Sequence, residues 1–451
     1  MEKQQNNSRR DFVKKAALGS AALTFGGILP SFSARSYKNI MGSNERFNMG
    51  VMGVNSRGLA LASNFAKQPN CVVRYVSDVD QRAADKCITR LETIQKFKPI
   101  AQPDFRKALE KKDLDVMVIA TPDHWHAPAA LLAMQAGKNV YLEKPCSHNP
   151  KEGEMLVAAQ KKYGKVLQMG NQRRSWPNVA QAIHEIHNGV IGRPYFAKTW
   201  YTNSRKPIGV GKPAAVPAWL NFDLWQGPAP RRPYKDNLIH YNWHWFWHWG
   251  TGEALNNGTH MVDLARWGLQ VDYPTKVQSS GGTFAFSDDW ETPDTQMIAL
   301  EFGNKSMITW EGRSANGKYN EGASVGVIFY GEKGTLQING GNSYSIYGLD
   351  DKLIKEVKDN TEFKAGDLSN PTEKLDGFHF QNMFEAIKGN ATLHSDILEG
   401  YKSTLLVQLG NIAQRTSGML ITDPANGHIR SDAAAMNLWG RSYEKGWEPH
   451  I

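Results

Sequence analysis

An apolar run over residues 47–54 ends in Gly53-Val54-Asn55-Ser56-Arg57-Gly58, a helical stretch follows over 59–67, and a second apolar run over 71–76 ends in Ser77-Asp78. This order of strand, glycine turn, helix, strand and acid leaves few folds open. The first glycine permits a tight turn and the last lets helix and strand pack closely. The helix N-terminus, with its unpaired N–H groups, suits a pyrophosphate, and an acid about 20 residues further on takes ribose hydroxyls. Asp78 stands at that distance from Gly58. Asn55 occupies the place where a middle glycine is expected. Asparagine tolerates left-handed backbone angles but adds a side chain beside the phosphates, which predicts a looser or differently angled contact.

The alternation continues along the chain. Residues 114–120 read as a buried strand ending in Thr121-Pro122-Asp123-His124-Trp125-His126. Pro128 suits the first position of a helix over 129–136 that Gly137 stops, and a strand over 139–142 runs into Glu143-Lys144-Pro145. Strands alternating with helices imply a parallel sheet with right-handed crossovers, a Rossmann domain over 46–165, and in such sheets ligands sit at the C-terminal strand ends. Gly53, Asp78, Thr121 and Lys144 all fall there. From 166 to 451 the periodicity changes. Residues 276–286, 295–302, 306–311, 324–330 and 335–338 are short β-branched and aromatic runs between Gly, Asn and Asp turns, which predicts an α+β domain with a large, mostly antiparallel open sheet. Helical spacing returns with Phe380, Met383, Phe384 and Ile387, and again with Tyr401, Leu405, Leu409 and Ile412, read as core-facing stripes.

Composition narrows the function. With 41% apolar and 22% charged residues the chain is globular, and a formal charge of +9 spread over 451 residues without a basic tract argues against a nucleic-acid partner. Cys71, Cys87 and Cys146 cannot form a disulfide framework, and the histidines and cysteines lack metal-site spacing, so no metal is expected. At the start, Ser8-Arg9-Arg10-Asp11-Phe12-Val13-Lys14 precedes an apolar, Gly/Ala-rich run over 16–29 and small residues to 34. That is the layout of an export signal with the twin-arginine pattern, followed by a linker over 35–45. It predicts a periplasmic or otherwise exported protein whose partner is the twin-arginine machinery. Because that route carries folded proteins, it also predicts a tightly held cofactor.

These motifs together resemble the Gfo/Idh/MocA oxidoreductase family. The resemblance runs through the 53–58 loop, Asp78, the Thr121 to His126 stretch, Glu143-Lys144-Pro145, Gly170-Asn171-Gln172-Arg173-Arg174, the segment from Gly252 to Asp263 and Gly331-Glu332-Lys333-Gly334-Thr335-Leu336. It implies NAD held by Gly53, Asn55, Ser56, Arg57, Gly58, Asp78, Thr121, Pro122, His126, Glu143, Lys144 and Gln172. It also implies Lys144 on the substrate oxygen, His260 in proton transfer, and a homo-oligomer formed through the open sheet. Asp78 favours NAD over NADP because a carboxylate repels a 2′-phosphate, although Arg57 and Arg82 lie close in sequence. Many members carry aspartate where Asn256 stands, four residues before the histidine. An amide orients an imidazole without adding charge, so His260 is expected to be a weaker base. Asp263 is the replacement carboxylate unless it caps the helix or pairs with Arg266. Arg173, Tyr201, Trp243, His244 and Asp263 are the candidate substrate contacts, with the aromatic stretch 241–249 as a sugar platform beside a packed loop core.

Three functions fit. The first is an exported NAD-dependent oxidoreductase acting on a secondary hydroxyl of a sugar or glycoside. The second is an NAD-dependent glycosidase, resembling the α-N-acetylgalactosaminidases, that oxidises a 3-hydroxyl transiently and eliminates the aglycone. The third is a sugar-binding relative without turnover.

Overall fold

The computed structural model describes residues 46–359 and 373–451; the expected signal and linker lie outside the described residues. Strands β1 (Phe47–Met52), β2 (Cys71–Ser77), β3 (Ile100–Ala101), β4 (Val116–Ile119), β5 (Asn139–Leu142) and β6 (Leu167–Met169) form one parallel sheet in the order β3-β2-β1-β4-β5-β6. Apolar residues on both faces make this sheet a core layer, and all four residues of β4 are buried. The strand order reverses between β1 and β4, where a dinucleotide crevice opens in this topology. Helix α1 (Arg57–Ala66) follows β1 directly and carries no acid in its first turn. Helix α2 (Gln81–Gln95) is capped by Asp80, whose side chain accepts from the Arg82 N–H.

Helix α3 starts earlier than the proline predicts. It spans Asp123–Gln135, so Pro128 lies inside it. An internal proline leaves the carbonyl four residues back without its helical donor. Here the His124 carbonyl accepts instead from Arg441 Nη2 at 2.6 Å, which replaces the missing hydrogen bond. Helix α4 (Pro150–Tyr163) then leads to β6.

The second sheet has nine strands, in the order β14-β13-β12-β11-β7-β10-β9-β8-β15. Its members are β7 (Pro194–Thr202), β8 (Lys276–Gly282), β9 (Thr295–Phe302), β10 (Ser306–Arg313), β11 (Val325–Gly331), β12 (Thr335–Ile338), β13 (Tyr344–Tyr347), β14 (Leu353–Val357) and β15 (Met419–Ile421). Among the described residues only its β7–β10 pairing is parallel. Alternating burial along β9 and β10 leaves one face covered, by helix α5 (Thr259–Leu269) among others. Two late helices complete the packing. Helix α6 (Glu373–Ile387) lays Phe380 and Phe384 against the first sheet's layer, with Phe380 stacked on Phe65 at 3.7 Å between ring centroids. Helix α7 (Ile397–Arg415) buries Tyr401, Leu405, Leu409 and Ile412.

Candidate active site

A cavity of about 360 Å³ opens at the C-terminal ends of β1, β2, β4 and β5, within the roughly 300–1,000 Å³ usual for ligand sites. Its first half is the glycine turn. Gly53 has φ +80°, and a Cβ there would lie 2.8 Å from the Ala120 carbonyl oxygen. A Cβ on Gly58 would lie 1.7 Å from the Gly53 oxygen, so only glycine lets α1 seat against the loop. Asp78 holds the turn from the other side, accepting from the Val54 N–H at 2.7 Å and, on its second oxygen, from the Asp80 N–H at 2.9 Å. Burial pushes its carboxyl above the usual range. Each oxygen keeps a lone pair for a ribose hydroxyl. The hydroxyls of Ser77 and Thr121, both on the cavity wall, are buried without a protein partner, as expected of groups that meet a polar ligand. A dinucleotide fits this set of residues.

Two arginines that a 2′-phosphate could use are already engaged. Arg57 donates to Glu143 at 2.9 Å and to both oxygens of Asp376 at 3.0 and 2.9 Å, while Arg82 pairs with Asp80 and lies 3.4 Å over the Trp219 ring. The site therefore favours NAD. Gln172 joins the Arg57 network, its amide oxygen accepting from Nη2 at 2.7 Å. His126 bridges the Thr121 carbonyl (2.8 Å) and the Pro145 carbonyl (2.6 Å), which ties the ends of β4 and β5 together.

The second half centres on Lys144. Its Nζ donates to the backbone oxygen of Asn256 and, at 3.2 Å, to Asn256 Oδ1. Asn256 lies in a π-helical turn, Ala254–Gly258, immediately before α5; such wide turns recur at functional sites. Burial lowers the Lys144 ammonium below the ordinary lysine range, against the opposing pull of the Glu143, Asp123 and Glu253 carboxylates. Buried Glu253 orients the group. It accepts from Asn256 Nδ2 at 3.3 Å, from Asn257 Nδ2, and from Arg205 at 2.5 and 3.2 Å. Asp123, its carboxyl pushed up by burial, accepts from the Thr251 hydroxyl at 2.5 Å.

His260 shares the cavity, but Asn256 does not orient it. The Asn256 amide is committed to Lys144 and Glu253, and His260 Nδ1 is buried without a partner. Burial, with the charges of Arg173, Lys144 and Arg57, holds the imidazole well below its usual range. The weak basicity expected from the missing aspartate thus has a second cause, desolvation among cations. His244 is likewise held well below its usual range by burial, with Lys144 and Arg205 adding to it, but differs from His260 in having a partner. Its Nδ1 donates to the Tyr241 carbonyl at 2.7 Å and its ring stacks on Trp243 at 3.5 Å, which fixes the tautomer and leaves Nε2 as the lone pair.

Most of the expected residues line this one cavity: the loop, Asp78, Thr121, Pro122, His126, Glu143, Lys144, Gln172, Tyr201, Trp243, His244, Asn256 and His260. Three do not. Gly58 shapes the loop from behind it. Arg173 is buried away from the cavity, donating to the Gly340 carbonyl at 3.1 Å and lying 4.8 Å from the Trp176 ring centroid, its guanidinium pushed down to about 9 by burial. Asp263 supplies no carboxylate to His260, nor does it pair with Arg266. It accepts from Arg174 Nε at 3.0 and 2.9 Å and from Ser403 at 2.6 Å, in the core between α5 and α7. The aromatic stretch divides as well. Trp245, Phe246 and Trp249 are buried, Trp245 stacking on Trp290 at 4.0 Å, whereas Tyr241, Trp243 and His244 face the cavity. Asp123, Arg205, His240 and Glu253 were not expected. Asp123 and Glu253 lie inside motifs already visible in the sequence, while Arg205 and His240 sit in irregular segments that gave no signal.

Comparison with known proteins matches this architecture. Residues 47–171 fit the model described as the Gfo/Idh/MocA oxidoreductase family, NAD-binding Rossmann fold, and residues 199–449 fit that family's C-terminal alpha/beta domain. The chain is 26% identical over 253 residues to a glycosyl hydrolase family 109 protein of Saccharopolyspora erythraea, covering 51% of this chain and 55% of that protein. It is 28% identical over 169 residues to inositol 2-dehydrogenase 4 of the same organism, covering 37% and 48%. The matched stretch is thus about half the length of these curated relatives. The structure of a levoglucosan dehydrogenase in complex with NADH and levoglucosan shares the fold, with a TM-score of 0.65 at 18% identity over 83% of this chain and 99% of that one. The chain belongs to the Gfo/Idh/MocA oxidoreductase family.

Proposed function

We propose that this Gfo/Idh/MocA member is an NAD-dependent oxidoreductase that oxidises a secondary hydroxyl of a sugar or glycoside. One observation carries the reading: Lys144 and His260 face the same cavity as the glycine turn and Asp78. Nicotinamide bound there supplies the hydride acceptor. The roles of the two side chains follow from their surroundings and reverse the assignment that the family resemblance implies. For His260 to take a proton, Nδ1 must carry a hydrogen in a buried place without an acceptor, and the resulting cation would face Lys144 and Arg173. His260 therefore serves better as an Nε2–H donor to the substrate oxygen. Lys144 takes the hydroxyl proton as the neutral amine, and its ammonium product is received by Asn256. Tyr241 and Trp243 at the cavity wall offer apolar faces to a sugar ring.

The pH dependence tests these roles. Only neutral Lys144 accepts a proton, so kcat/KM for alcohol oxidation rises with pH, and burial moves that rise below the ordinary lysine value of 10.5. His260 is already neutral around its usual 6.5 and adds no inflection there. A profile measured from acid to alkaline pH that breaks near that value, and loses the break in His260→Asn, would return the base role to His260.

A second reading is favoured by His244. A glycosidase working through transient oxidation, in line with the glycosyl hydrolase relative's name, needs another base to take the proton from the carbon beside the new carbonyl. His244, its tautomer fixed by the Tyr241 carbonyl and its imidazole kept neutral by burial, offers an Nε2 lone pair on the cavity wall for that task. Export through the twin-arginine route and self-association through the second sheet are part of the proposal and rest on the sequence expectations above.

A further inference from the structure

The end of the cavity beside Asp78 is bordered by a segment from far along the chain. The Gln81 N–H donates to the Trp219 carbonyl at 3.2 Å and the Asn221 N–H to the Val79 carbonyl at 3.0 Å, so Asp80 and Leu220 pair as a short antiparallel bridge. Side chains reinforce it. The Arg82 guanidinium covers the Trp219 ring at 3.4 Å, and that ring stacks on His240 at 5.9 Å with the planes 25° apart. His240 Nε2 lies 2.6 Å from Asp80 Oδ2. Asp80 is itself buried and fixed by capping α2 through its other oxygen. His240, Trp225 and Leu224 line the cavity together with Asp78 and Val79. The far segment is thus tied to the tip of β2 at the two residues that follow the ribose acid.

We propose that Trp219 and His240, fastened on Asp80 and Arg82, form a clasp over the adenosine end of the site that makes the dinucleotide a resident group, one that does not exchange in each turnover. The inference rests on the reading that this site takes a nicotinamide dinucleotide. Neither clasp residue lies beside Lys144, so they are positioning residues that act on retention. A resident cofactor has a chemical consequence. The hydride removed from one hydroxyl must leave to a second carbonyl compound in the same cavity, or return to the first substrate, before another cycle starts.

The test uses the full chain loaded with NAD, desalted, and mixed with excess isotopically heavy NAD; samples are denatured over time and the ratio of light to heavy cofactor is read by mass spectrometry. The expected result is slow exchange in the native chain and exchange faster by on the order of tenfold or more in His240→Ala and Trp219→Ala, because loss of closure acts on the off-rate. His240→Gln removes the ring that stacks on Trp219 but keeps an N–H able to donate to Asp80; it is expected to fall between. A Gly303→Ala chain, altered outside the cavity lining, retains cofactor as the native one does. Circular dichroism melting of each variant separates loss of the clasp from loss of the fold. Exchange rates in His240→Ala and Trp219→Ala within about twofold of native overturn the clasp and leave the functional reading standing. A native chain that binds no NAD at all overturns both.

Discussion

Lys144→Ala is expected to lower kcat for alcohol oxidation on the order of 10²–10⁴-fold, the range supplied by a positioned proton acceptor, while leaving bound NAD in place. The asymmetry follows from its contacts. Among the described residues Lys144 Nζ bonds only Asn256, whereas the dinucleotide loop is held by Asp78 and by the Arg57, Glu143 and Asp376 network. Removing the ammonium leaves Glu143 paired with Arg57, so the fold does not acquire an uncompensated carboxylate there. His260→Gln is expected to lose less, since it forfeits a hydrogen bond and leaves the proton acceptor intact. Steady-state kinetics with cofactor content measured on the same samples checks both. Equal losses in the two variants, or a larger loss in His260→Gln, would contradict the assigned roles.

Gly58→Ala is expected to abolish dinucleotide binding and to destabilise the first sheet's layer. The added methyl would stand 1.7 Å from the Gly53 oxygen and 2.8 Å from its carbonyl carbon, both backbone atoms that no rotamer change can clear. Either α1 lifts from the loop or the turn opens, and overpacking of this kind costs about 1–3 kcal/mol or more. Gly303→Ala is the control, because the nearest atom to its Cβ is Thr275 Cγ2 at 3.8 Å. Thermal melting with and without NAD should show a lower midpoint and no NAD-dependent rise for Gly58→Ala, and native behaviour for Gly303→Ala. A Gly58→Ala chain that NAD stabilises as well as the native one would remove the loop from the binding site.

The parts of the site that were legible in the sequence are those that one local segment builds. A strand end, a glycine turn and a following helix place Gly53, Arg57 and Gly58 together wherever they occur, and Asp78 and Lys144 sit at strand ends for the same reason. Side chains whose direction depends on tertiary partners were not legible. Arg173 and Arg174 are neighbours in a short 3₁₀ turn, yet the first goes to the Gly340 carbonyl and the second to Asp263. The spacing of Asn256 and His260 suggests one helical face, but the intervening π turn redirects the amide to Lys144. Strand β7, which carries Tyr201, was missed because its last four residues are all buried, and a central strand covered on both faces loses the alternation that identifies it. Arg205 and His240 meet the site from segments with no periodic signal, so only the assembled fold brings them in.

The central claim is hydride transfer from a sugar hydroxyl at the Lys144 cavity, and product analysis tests it most directly. Purified, NAD-loaded protein is incubated with a panel of sugars and glycosides, and the products are weighed by mass spectrometry beside a Lys144→Ala control. A product lacking two hydrogens, matched by reduced nicotinamide and missing from the control, is the predicted result. Aglycone released without net oxidation would move the assignment to the transient-oxidation glycosidase and give His244 its role. A panel unchanged by a protein that demonstrably holds NAD would contradict the claim.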